Sequence, residues 1–99
     1  MITVKIEYKS NQSLPLDRVE DIITTFIQHI RINEPDTTSY WAYHKVNEPT
    51  HYVHLMTFED KNARLVHQQK DYCESFVKKL HPLCEAEPEA IALEGIDKK

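Results

Sequence analysis

Thr37-Thr38-Ser39-Tyr40-Trp41-Ala42-Tyr43-His44-Lys45-Val46 and, after Asn47-Glu48-Pro49-Thr50, His51-Tyr52-Val53-His54-Leu55-Met56-Thr57-Phe58 form the stretch from which the fold is read. β-Branched and aromatic residues crowd both segments, and the residues between them have the length of a hairpin loop. Two antiparallel strands are predicted. Trp41 and Tyr43 lie opposite in parity to Tyr40 and Ala42, as His54 and Met56 do to Val53 and Leu55. Both faces therefore carry bulky side chains, whereas a sheet with one wet face shows cleaner alternation. Something is expected to cover the second face.

Working outward, Ile2, Val4, Ile6 and Tyr8 alternate with Thr3, Lys5, Glu7 and Lys9, which reads as a first strand. Ser10-Asn11-Gln12-Ser13 follows as a turn, with Asn available for a left-handed conformation. Pro15 suits the first turn of a helix on which Val19, Ile22, Ile23, Phe26, Ile27 and Ile30 make one apolar face. That helix is predicted to end before Asn33-Glu34-Pro35-Asp36, since Pro35 has no N–H to continue it.

Beyond the hairpin, Asp60 is placed to cap a helix carrying Ala63, Val66, His67 and Lys70 on one side. After Gln68-Gln69-Lys70-Asp71 the stripe resumes with Cys73, Phe76, Val77 and Leu80, which fits one helix or two joined by a kink. Pro82 marks the exit, Glu89 to Glu94 reads as a last strand, and Lys98-Lys99 as a tail. The order β–α–β–β–α–β predicts an α+β, ferredoxin-like domain over residues 1–99, with helices on one face of an antiparallel sheet. A second copy laid on the other face, giving a homodimer, accounts for the aromatic residues there.

Composition narrows the function classes. The chain has 99 residues and a net charge of −4, with twelve basic residues scattered among sixteen acids. Nucleic acid needs a basic stripe, which is absent, and Lys78-Lys79 sit where a helix end favours cations. No apolar run approaches the roughly twenty residues that span a bilayer, so no membrane partner is expected. Met1 runs directly into the first strand without a leader pattern, and the expected location is cytoplasmic.

Cys73 and Cys84 are expected as small buried hydrophobes on the stripe of Phe76 and Leu80, unpaired in a reducing compartment. No metal is expected. His51 and His54 fall on opposite strand faces, no His or Cys set has zinc spacing, and only an approach of His44 to His54 across the hairpin is open. Gly95 is the sole glycine, which removes glycine-rich phosphate loops and the serine nucleophile elbow.

Several runs resemble antibiotic biosynthesis monooxygenase domains. These are Glu34-Pro35-Asp36-Thr37 leading to Tyr40 and Tyr43, and Tyr52-Val53-His54-Leu55 leading to Phe58-Glu59-Asp60, with Ala63 and His67 following. Phe76-Val77-Lys78-Lys79-Leu80-His81-Pro82-Leu83 is similar to that family's Phe…Leu-x-Pro-Leu ending. The likeness runs from Met1 to about Ile91, without gaps between Phe58 and Leu83. It implies a dimeric α+β barrel with a cavity in each protomer. Known members include cofactor-independent monooxygenases of anthrones and quinols, and haem-degrading enzymes.

Two positions depart from that pattern: Phe58 stands where the family usually has Trp, and His54 where the anthrone oxygenases have Asn. Unlike an amide, a histidine also takes a proton near neutral pH. The resemblance implies His54 and His67 as catalytic candidates, and Phe58, Tyr40, Trp41 and Tyr43 as candidates for binding a small aromatic substrate. Tyr40 and Tyr43 have opposite parity and do not share a face. The activity implied is a monooxygenase using no cofactor; the alternative is a ligand-binding or structural dimer without catalysis.

Overall fold

The computed structural model describes residues 1–96; the tail expected at Lys98-Lys99 lies outside them. The elements are β1 (Ile2–Lys9), α1 (Leu16–Asn33), β2 (Thr37–Lys45), β3 (Glu48–Phe58), α2 (Lys61–Gln69), α3 (Asp71–Leu80), a 3-10 turn (His81–Leu83) and β4 (Glu89–Leu93). The sheet runs β2-β3-β1-β4, antiparallel throughout. This is the α+β, ferredoxin-like order, with its second helical segment divided. No helix among the described residues is long and apolar enough to cross a membrane.

Register explains the two faces. Val4 pairs with Met56, Ile6 with His54 and Tyr8 with Tyr52, while β2 sets Tyr40 against Met56 and Ala42 against His54. Even-numbered residues of these strands thus share one face, because side chains alternate along a strand. That inner face buries Val4, Tyr8, Tyr40, Tyr52, His54, Met56 and Phe58. Val19, Ile23, Phe26 and Ile30 of α1 cover it from above, spaced by three and four, and Phe26 stacks on Phe76 of α3 with ring centroids 4.0 Å apart. Odd positions carry Tyr43, Val53, Leu55, Ile91 and Leu93 onto the outer face, where Tyr43 is 51% exposed.

Several local expectations are corrected. Glu48, Pro49 and Thr50 belong to β3, leaving Val46-Asn47 as the connection; a register shift between His44 and Lys45 accommodates the proline. Among the described residues none has positive φ, so Asn11 is not left-handed. Instead Leu14 N–H donates to the Asn11 carbonyl at 3.1 Å, and Ser10 bridges to Cys84. Pro15 caps α1 rather than standing inside its first turn, and α1 continues through Asn33.

Lys70, with extended backbone at ψ 141°, separates α2 from α3, which decides for two helices. Val66 and Val77 are turned to solvent. Cys84 lies past the 3-10 turn, off the α3 stripe, and its thiol donates to the Leu80 carbonyl at 3.3 Å. Both cysteines are free and half-buried.

The Asp60 carboxylate accepts from Ala63 N–H at 2.8 Å, the cap expected for α2. Asp60→Ala should lower unfolding free energy by about 1 kcal/mol, measured as a shift of the urea midpoint at unchanged slope.

Candidate functional site

His54 sits on the central strand β3, 1% exposed, with Ile6 and Ala42 directly opposite on the flanking strands. Its partners are the diagonal neighbours on either side, the positions long side chains reach across a sheet. Tyr8 Oη lies 2.7 Å from Nε2, and Tyr40 Oη 2.7 Å from Nδ1. A neutral imidazole donates through one nitrogen and accepts through the other. One tyrosine therefore gives its proton to the ring, and the other receives the ring N–H. Burial drives the His54 pKa down to about 4 from its ordinary value of 6.5, because the surroundings solvate the imidazolium poorly. The same desolvation raises the phenol pKa values of Tyr8 and Tyr40. The triple is uncharged at neutral pH.

A second polar cluster forms where α1 hands over to β2. Glu34, the residue closing α1, has a side chain only 3% exposed. Its Oε1 accepts from His67 Nδ1–H at 2.8 Å and from the Thr37 hydroxyl at 2.8 Å, and its Oε2 from the Tyr72 hydroxyl. With Nδ1 carrying the proton, Nε2 of His67 is left toward Cys73 Sγ, 3.9 Å away. Phe58 and Phe26 wall the imidazole, at centroid distances of 5.2 and 5.8 Å. Burial, then the charge of Glu34, raises the Cys73 thiol pKa, which keeps the sulfur protonated.

The expected residues are thus divided. His54, Phe58, Tyr40 and His67 lie together on the inner side, with Phe58 wholly buried. Trp41 and Tyr43 are not with them. Their odd parity turns both from His54 to the outer face of the edge strand β2, where the Arg31 guanidinium lies 5.6 Å over the Trp41 ring. His44 pairs with Tyr52 rather than His54, and lies 3.4 Å from Glu20.

Glu34, Tyr72 and Tyr8 were not expected at a site. Glu34 precedes Pro35 at the end of a helix, a place where the sequence signals only a strand to come. Tyr8 shares the parity of Ile6, a usable signal. Tyr72 sits in a polar stretch that gives none.

Among the described residues, His54 lines none of the larger surface depressions, of which one, about 780 Å³, lies between β4 and α2 by Ile2, Leu65 and Leu93. One of about 220 Å³ opens between α1 and α3, with Phe26 and Phe76 at its floor and His29 and Tyr72 on its wall. Another, about 540 Å³, borders β2 and reaches Glu34, Tyr40 and Trp41.

No family model matches the chain, and no curated protein matches it in sequence. Solved structures do. A protein called antibiotic biosynthesis monooxygenase superposes with a TM-score of 0.89 at 15% identity, covering 98% of this chain and 100% of the other. A Caulobacter crescentus protein carrying the same family name gives 0.88 at 19% identity, covering 97% and 90%. SnoaB, a cofactor-independent oxygenase from Streptomyces nogalater in an Asn-to-Ala variant, gives 0.84 at 10% identity, covering 98% and 94%. The likeness is one of fold, that of antibiotic biosynthesis monooxygenase domains.

The lowered pKa of His54 makes stability depend on pH. Unfolded chain takes up this proton below pH 6.5 and folded protein only below about 4, so stability falls as pH drops through that window. At about 1.4 kcal/mol per pH unit the loss is bounded near ~3 kcal/mol. Urea midpoints between pH 7 and pH 4 should decline less steeply in His54→Gln than in the wild-type protein.

Proposed function

We propose that this chain is a monooxygenase that uses no cofactor and acts on a small, flat phenolic compound of the quinol or anthrone type. The observation that carries this reading is the buried His67–Glu34 pair at 2.8 Å, set against the inner layer that holds Tyr40, His54 and Phe58. A proton removed from the substrate passes to this pair, where the carboxylate balances the charge the imidazole gains. His54 has a different part. With a pKa near 4 it stays neutral and orients the Tyr8 and Tyr40 hydroxyls. The substrate anion, electron-rich, passes an electron to dioxygen. With an anthrone, one oxygen atom then enters the ring carbon and the other leaves as water with the two hydrogens. Apolar walls such as Phe26 and Phe58 exclude solvent from the intermediate.

The protein is read as a homodimer joined through the outer sheet face. Tyr43, Val53, Leu55, Ile91 and Leu93 put apolar side chains on that face, on either side of a β1 row of Thr3, Lys5 and Glu7 in which Lys5 pairs with Glu7 at 2.9 Å; a second copy would cover both. A second reading, a ligand-binding or structural dimer without catalysis, is favoured by one observation. Tyr8 and Tyr40 already fill the hydrogen-bonding capacity of His54, and the depressions described above bypass it.

Oxygen uptake with a panel of quinols and anthrones separates the two. Turnover that falls at least tenfold in His67→Ala, in protein that remains folded, supports the first reading. Uptake by neither protein, with ligands still raising the melting temperature, selects the second. For the dimer, Leu55→Glu should halve the mass in sedimentation equilibrium, since it replaces an apolar side chain of the outer face with a charge; an unchanged mass refutes that interface.

A further inference from the structure

We propose that the cleft between α1 and α3 admits a phenolic ligand whose hydroxyl docks on Oε2 of Glu34, in the place now taken by the hydroxyl of Tyr72. This deepens the reading given above and rests on it for the class of ligand. Three donors converge on Glu34, and they divide unequally. Oε1 is shared by His67, from inside the fold, and by Thr37, from the half-buried start of β2 on the side away from the cleft. Tyr72 alone serves Oε2, and Tyr72 is the donor that also lines the cleft. The protein thus already holds a phenol against this oxygen.

The surroundings suit an aromatic ring. The floor is the stacked pair Phe26 and Phe76, and the wall is His29 stacked on Tyr72 at 5.2 Å with 14° between planes. The volume, about 220 Å³, is of the order of one or two aromatic rings. Tyr72 is able to leave. It is half-buried, its ring partner His29 is exposed, and it stands two residues beyond the extended break at Lys70. Turning its ring outward breaks one hydrogen bond and uncovers a buried carboxylate, which then needs a donor. A phenol supplies that donor along with a ring that refills the wall. Glu34 so reads the hydroxyl, beside the imidazole of His67.

The test titrates hydroquinone and its dimethyl ether, 1,4-dimethoxybenzene, into the protein without oxygen, following the amide and imidazole NMR signals. Hydroquinone is expected to bind the wild-type chain and shift the His67 ring signals, and the ether to do neither. Tyr72→Phe, which releases the latch and keeps the ring, should bind hydroquinone about tenfold more tightly, the order of one hydrogen bond to a charged group. Glu34→Gln should bind it about tenfold more weakly. Equal binding of the ether, or no gain in Tyr72→Phe, overturns the site. Should that variant not fold, the wild-type comparison of hydroquinone with its ether decides alone. Binding as described with no oxygen uptake by any phenol rejects the oxygenase reading and keeps the site. Uptake with identical KM in wild type and Tyr72→Phe keeps the reading and rejects the site.

Discussion

A carboxylate set beneath a layer of helices is tolerable only when donors replace the water it has lost, and the Glu34 side chain is 3% exposed. Its donors come from three different elements: Thr37 opens β2, His67 lies on α2 and Tyr72 on α3. Glu34 itself closes α1. One side chain therefore ties the start of the hairpin to all three helices, and it fixes where α2 and α3 stand over the sheet. The break at Lys70 makes this possible. A straight helix through that point would not present His67 and Tyr72 to the same carboxylate from two axes.

The two inner histidines show how one residue type is held in two different environments. His54 is enclosed between hydroxyls that carry no charge, and burial holds it neutral. His67 faces a carboxylate. The first bridges the hydroxyls of Tyr8 and Tyr40, and the second is fixed by its Nδ1–H on Glu34. Tyr40 stands between them, bonded to His54 and with its ring centroid 6.3 Å from that of His67.

The fold tolerates great sequence divergence: identities of 10–19% accompany TM-scores of 0.84–0.89. Such a fold is specified by alternation, element order and helix stripe, which constrain classes of residue rather than identities. A shared fold does not carry chemistry with it, because chemistry resides in particular side chains placed on the scaffold. His54 and Phe58, where the family resemblance would put Asn and Trp, are substitutions of that kind.

From the residues alone, the period-two alternation of β1, the crowding of β-branched and aromatic residues in β2 and β3, and the three-four spacing of α1 were enough to establish element order, and Asp60 before its helix gave the cap. These are local properties, set by backbone geometry within a few residues. The pairing of Glu34 with His67 and Tyr72 joins positions 33 and 38 apart in the chain, and the diagonal reach of Tyr8 to His54 spans 46. Such contacts depend on strand register and on the angle at which helices cross the sheet. Parity likewise separated Tyr40 from Tyr43, but which of them faced the helices required the packed structure. Periodicity specifies which residues share a side; only the closing of the core decides what that side meets.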